Sequence, residues 1–227
     1  MQTRTAYLKQ LEDLENSLTR MAEKVEADIN ASASIMTGQV AASDNANPED
    51  DAILSRMRSG IEGTCLDIML MQQPLVAGDL RFVTGSFRIV SDLAHIGEKA
   101  RSSMYLAGHV PAGVAAELCN TELGSKFIEA ATTVVSMIGA AISAFRNSDV
   151  ELAEQVFKMD DLVDDLYVQI QQAVIAMIRA SEENDEYLPE LLMIAKYYER
   201  MGDDAQRIAA WAVFRVTGVH GVNSAQD

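Results

Sequence analysis

The chain has 227 residues, 48% hydrophobic and 23% charged, and its 34 acidic side chains outnumber 18 basic ones to leave a formal charge of −16. That length suffices for one large domain or for two of about 110 residues, each with a buried core. So acidic a chain is repelled by phosphate backbones and anionic lipid, which sets nucleic acid aside as a partner and favours cations or basic protein faces.

Helical periodicity runs from end to end. Leu11, Leu14, Leu18, Met21 and Val25 alternate at three and four, a core-facing stripe that predicts the first helix. Asn47-Pro48-Glu49-Asp50 reads as a helix start, with Asn as cap, Pro at the first helical position and acids in the first turn. This second helix runs to Gln72-Gln73, where Pro74 stops it. A third is expected from about Gly78-Asp79 to Gly108, with Pro111 beyond as a terminator. A fourth covers about Ala115 to Phe145, and Ser148-Asp149-Val150-Glu151 reads as a capping box that opens a fifth. The stripe of the fifth is Val156, Met159, Val163, Leu166, Ile170 and Met177. Asn184-Asp185 precedes a sixth, which reaches about Val216 and stops at Gly218. No sustained period-two alternation and no Asn-Gly or Asp-Gly hairpin turn occurs. The expected fold is all-α: six long helices in two pseudo-symmetric antiparallel three-helix bundles, over residues 1–110 and 111–227. Linkers are expected near 38–47, 108–114, 146–149 and 182–186, with a frayed tail from Val219.

The cysteines, Cys65 and Cys119, sit in apolar helical patterns and do not form a disulfide framework, so a reduced cytoplasmic setting is expected. The opening residues lead into a charged amphipathic pattern without a signal-peptide core. The longest apolar run, Val134 to Phe145, is interrupted by Ser136 and Ser143 and reads as a buried helix, so no direct membrane insertion is expected. Met69, Met71, Met137, Met159, Met177, Met193 and Met201 mostly hold core spacing, where methionine fills gaps.

Two helical segments spell nearly the same phrase, Asp92 to Ala100 and Tyr197 to Ala205, and align Gly97 with Gly202 and Glu98 with Asp203. A chain that repeats itself at half its length is two copies of one unit. The second copy has carboxylates at Glu199 and Asp203 where the first has Ala94 and Glu98. Asp160 and Asp164 form another pair four apart. Like charges at that spacing repel by a few tenths of a kcal/mol, roughly, and a hard cation between them reverses the sign. In so acidic a chain, many such pairs simply face water. His95 lies between Asp92 and Glu98 in an O,N,O arrangement, and the other histidines are His109 and His220. The doubled Glu-x-x-His set of a di-iron bundle, a Ser-His-Asp constellation, a glycine-rich phosphate loop and paired Cys-x-x-Cys motifs are all missing, so no catalytic residues are assigned.

Three stretches and the chain's close resemble the PhoU family of phosphate-transport regulators. They are Pro74-Leu75-Val76-Ala77-Gly78-Asp79-Leu80-Arg81, Asp160 to Leu166, Glu199-Arg200-Met201-Gly202-Asp203-Asp204-Ala205, and the run Ile208 to Gly218. The resemblance implies two three-helix bundles and a cytoplasmic adaptor that works without catalysis. Its implied partners are the ATPase of a phosphate ABC transporter and a sensor histidine kinase, and its expected assembly is a homodimer. Some members of the family bind iron or other divalent metal ions through (Glu/Asp)-x-x-x-Asp pairs, which carries over to Asp160, Asp164, Glu199 and Asp203. The first half departs from that pattern, with Ser55 four after Asp51 and Ala94 four before Glu98, leaving Asp51, His95 and Glu98 as weaker candidates. The alternatives are a metal-binding or storage bundle, a metalloenzyme, or a PhoU-like paralogue serving another transporter.

Overall fold

The three-and-four stripe of the first helix faces the core: Leu14, Leu18, Met21, Val25 and Ile29 are buried along one side of it. A computed structural model describes residues 2–40, 49–72, 74–181 and 185–219, with side chains from residue 5 in the first stretch and residue 52 in the second. Seven helices follow in order: α1 Gln2–Met36, α2 Glu49–Met71, α3 Ala77–Ala107, α4 Ala112–Leu118, α5 Glu122–Asn147, α6 Val150–Ala180 and α7 Tyr187–Thr217. No strand occurs among the described residues. Asn47, Pro48 and Asn184, read as helix starts, and His220 lie outside the described residues.

Six of these helices are long, and α1–α3 and α5–α7 form the two expected bundles. The helices that carry the repeated phrase, α3 and α7, make the most extensive helix–helix contact, and α1 also meets α5. The buried faces of all of them merge into one apolar cluster. Position 99 aligns with position 204, and these two equivalents meet across the α3–α7 contact as an ion pair, Lys99 Nζ to Asp204 Oδ2 at 2.7 Å. Arg207 also pairs with Asp204 and reaches Asp92 at 3.2 Å. Beside this seam the buried Ser32 and Tyr198 hydroxyls hydrogen-bond at 2.6 Å, tying α1 to α7.

The expected fourth helix is two. Thr121 N-caps α5, its hydroxyl accepting from the Gly124 amide at 3.1 Å, so the chain turns between Leu118 and Glu122. Gly124 lies against the Leu118 carbonyl so closely that a Cβ would collide with it. Gly38, at φ +65°, brings the end of α1 against the α4 backbone, where a Cβ would stand 2.9 Å from the Ala116 nitrogen. Cys119 therefore falls at the C-cap of α4 and not inside a helix. The cap of α6 is Asp149, accepting from Leu152 N at 2.9 Å; Ser148 adopts φ +57° to end α5, which displaces the expected capping box by one residue. Gly218, at φ +77°, closes α7 as expected.

Two apolar readings change. Met137 and Met201 are buried, but Met71 is 76% exposed and Met177 and Met193 are also exposed. The α6 stripe ends on the buried Val174 and not on Met177. By length and composition α5 is apolar enough to cross a bilayer, which the Val134–Phe145 run alone is not. Half of its apolar window is buried in the bundle, against α1, α6 and α7.

Candidate metal centre in the second repeat

The side chains that pack α6 onto α7 decide where the acids go. Val156, Val163, Leu166 and Ile170 are buried on α6, and Tyr198, Met201 and Ala205 on α7. Positions 160 and 164, and 199 and 203, flank these stripes and open on the groove between the helices. Gly202 sets the closeness of the crossing: a Cβ there would stand 3.1 Å from Asp160 Oδ1 and 3.4 Å from Val163 Cγ1. Asp160 is thereby 9% exposed and Glu199 is largely covered, while Asp164 and Asp203 face outward.

The four carboxylates share one electrostatic environment. Burial first, then Asp164, Asp203, Asp161 and Glu199, push the Asp160 carboxyl up to about 6. Asp164 is raised by burial and by Glu199, with Lys196 pulling the other way. Asp203 is raised by burial, Glu199 and Asp164. Lys196 ion-pairs with one oxygen of Glu199 and lies 4.8 Å over the Tyr167 ring. The Gln206 amide donates to Asp160 Oδ2 at 2.7 Å. Glu199 Oε2 is buried without a hydrogen-bond partner. An orphaned carboxylate oxygen among mutually repelling acids is a costly arrangement that a cation relieves. The donors are all hard oxygens, so they suit a divalent ion such as Mg²⁺, Mn²⁺ or Fe²⁺ more than a soft one. The carboxylates are neighbours and not a preformed cage: among the described residues, no three His, Cys, Asp or Glu side chains are placed to hold one ion as they stand.

The first repeat packs the same way with different chemistry. Gly97 lets α2 approach α3, where a Cβ would stand 2.5 Å from Leu54 Cδ1, matching Val163 against Gly202. Leu54, Ser55, Arg58, Ala94, Glu98 and Arg101 line a small cleft there of about 110 Å³. Ser55 and Ala94 supply no carboxylate, and two guanidinium groups enter, so these residues do not fit a cation. Asp51 is in the first turn of α2, with its side chain outside the described residues. His95 and Glu98 are exposed. Asp92 is engaged by Arg207, and burial nevertheless holds its carboxyl above the ordinary value. His109, just beyond α3, pairs with Glu190 of α7 at 3.4 Å. Sequence reasoning missed Lys196, Gln206, Arg58 and Arg101. Their signal was positional: Gln206 and Arg101 each follow the repeated glycine by four residues.

The PhoU domain family matches the chain twice, over residues 18–104 and 127–212. Among similar proteins, a phosphate-specific transport system accessory protein PhoU homolog of Clostridium acetobutylicum is 28% identical over 220 residues, covering 95% of this chain and 96% of its own. Homolog 1 from Methanothermobacter thermautotrophicus is 28% identical over 218 residues, covering 94% and 95%. The crystal structure of PhoU from Pseudomonas aeruginosa has a TM-score of 0.81 at 23% identity, covering 94% of this chain and all of that one. That of the phosphate transport system regulatory protein PhoU from Streptococcus pneumoniae has a TM-score of 0.76 at 19% identity. With both matches falling on the two repeats that the helices form, the chain belongs to the PhoU domain family.

Proposed function

We propose that this chain is a non-enzymatic regulator of phosphate uptake and phosphate-starvation signalling, acting in the cytoplasm as an adaptor. Its two partners are the ATPase of a phosphate ABC transporter and a sensor histidine kinase. The observation that carries the reading is the near end-to-end match to relatives named as accessory proteins of phosphate-specific transport. The strongly acidic surface suits basic docking faces on those partners. A homodimer is the assembly in which it would present them. Co-purification from phosphate-replete cells tests the adaptor role: recovery of the transporter ATPase and the kinase is expected, and recovery of neither refutes it.

In this reading Asp160, Asp164, Glu199 and Asp203 hold a divalent ion, which would supply positive charge between α6 and α7. Asp160 and Glu199 do so from the covered floor of the groove, Gln206 orients the former, and Lys196 stands in as counter-charge for the latter. The orphaned Glu199 Oε2 also favours a second reading, a helical bundle whose main task is binding or storing metal or using it as a metalloenzyme. Elemental analysis of protein purified without chelator, beside Glu199→Ala and Asp203→Ala, decides whether the site is real. Metal content that those substitutions leave unchanged rules it out. The altered first repeat favours a third, a paralogue serving another transporter, for which the co-purified ATPase is the readout.

A further inference from the structure

The two repeated glycines give a common frame for comparing the clefts. Over Gly202 stands a carboxylate oxygen, Asp160 Oδ1, 3.1 Å from where a Cβ would be. Over Gly97 stands a guanidinium nitrogen, Arg101 Nη1, at 3.7 Å from the corresponding point. That nitrogen is shielded from solvent. The residues that line the cleft with Arg101 are the positional equivalents of the second-repeat acids: Ser55 for Asp164, Ala94 for Glu199 and Glu98 for Asp203, with Leu54 in the place of Val163. Arg101 itself aligns with Gln206, the neutral side chain that holds Asp160. Arg58, the equivalent of Tyr167, adds a second guanidinium, paired with Glu62 at 2.8 Å.

We infer that Arg101 is a built-in cation: standing over Gly97 as Asp160 stands over Gly202, its guanidinium supplies within the first repeat the positive charge that the second repeat would take as a divalent ion, so that the first repeat takes none. The inference rests on reading the second-repeat groove as a cation site. The lost carboxylates and the gained positive charge are complementary changes: fewer anionic ligands remain, and an approaching divalent ion meets a fixed charge of its own sign at contact range. An arginine serves this role better than a lysine, because its charge persists at every physiological pH and its planar fork reaches several acceptors at once. The consequence is a division of labour between repeats. One half carries a permanent internal charge, and the other changes its charge with cation occupancy.

The experiment titrates the full chain with Mn²⁺, counting bound metal after desalting. Ser55→Asp/Ala94→Glu with Arg101 retained is compared with the same pair plus Arg101→Gln. Only the triple variant is expected to gain an equivalent of Mn²⁺ over the wild type. An equal gain in the double variant, or none in a folded triple variant, overturns the inference, as does wild-type Mn²⁺ binding that survives Glu199→Ala/Asp203→Ala. If the wild type takes up no Mn²⁺, the reading of the second-repeat site fails, while the two first-repeat variants still decide the role of Arg101. Because Ala94→Glu enlarges a nearly buried position, single substitutions give a second readout without metal. Arg101→Gln is expected to lower the thermal midpoint and Arg101→Lys to keep most of it. Equal losses in both, or none in either, overturn the inference.

Discussion

Replacing Lys99 by methionine removes the cation that faces Asp204 at 2.7 Å while keeping most of the aliphatic stem. The Asp204 side chain is only 3% exposed, so water cannot take over the lost contact. Breaking a buried ion pair from one side costs roughly 3–5 kcal/mol, because the remaining charge is left in a poorly solvating site. Here Arg207 still engages Asp204 from the same helix, and its side chain is half exposed, so the cost falls to or below the lower limit of that range, about 2–3 kcal/mol. For a chain of this size that is a fall in thermal midpoint of about 4–12 °C. Urea denaturation of wild type and K99M, with the slope monitored to confirm a common transition, measures it directly. The companion K99M/D204L removes both charges and is expected to be less destabilised than K99M, since an apolar pair leaves nothing unsolvated. A K99M midpoint corresponding to less than about 0.5 kcal/mol, or a double variant that simply adds its two losses, refutes the reasoning.

The raised Asp160 carboxyl makes a pH prediction with a definite sign. Its folded-state value, about 6, lies above the unfolded one, so its favourable contribution is complete at low pH and is lost as pH rises through about 6. Asp160→Asn, which still accepts from Gln206, is therefore expected to raise the metal-free thermal midpoint at pH 7, with the advantage vanishing near pH 4; an advantage constant across that window argues against the assignment. Tyr198→Phe leaves the buried Ser32 hydroxyl without its partner and is expected to cost about 1–2 kcal/mol in denaturant titration. Gly124→Ala drives a Cβ into the Leu118 carbonyl and is expected to cost about 3 kcal/mol, with loss of hydrogen-exchange protection confined first to α4 and the start of α5. Asp149→Ala removes the α6 cap and should cost about 1 kcal/mol by the same titration.

Long elements were legible because their burial is periodic: Leu14 through Val25 on α1 and Val156 through Ile170 on α6 declare a face over several turns. The break between α4 and α5 was not, since Ala115, Leu118, Leu123 and Phe127 are all buried and apolar and resemble one continuing stripe. Thr121 and Gly124 carried the signal, as a cap and a close approach, but neither residue type is decisive without its partner in view. That the second-repeat acids lie near one another was legible from spacing and family likeness alone. Their supporting side chains were not, because Lys196 and Gln206 matter only through which helix face meets which. Met71 and Met193 misled for the converse reason: methionine is common in cores, and spacing does not distinguish a buried face from its rim.

The seam between repeats explains why one chain holds both. A residue that meets its own equivalent across a two-fold axis has the same identity on both sides when the two copies are identical chains. A buried lysine would then face lysine, or aspartate face aspartate, and each arrangement leaves like charges desolvated together. Within one chain the two positions are free to differ, and here they are Lys99 and Asp204, in contact at 2.7 Å. The same freedom operates at the clefts, where Gly97 and Gly202 preserve the helix crossing while the Arg101 guanidinium stands over one and the Asp160 carboxylate, held by the neutral Gln206, over the other. Backbone pseudo-symmetry is kept by the glycines and the apolar stripes, which tolerate little change in volume. The polar positions beside them carry no such constraint, and that is where the two halves of this protein differ.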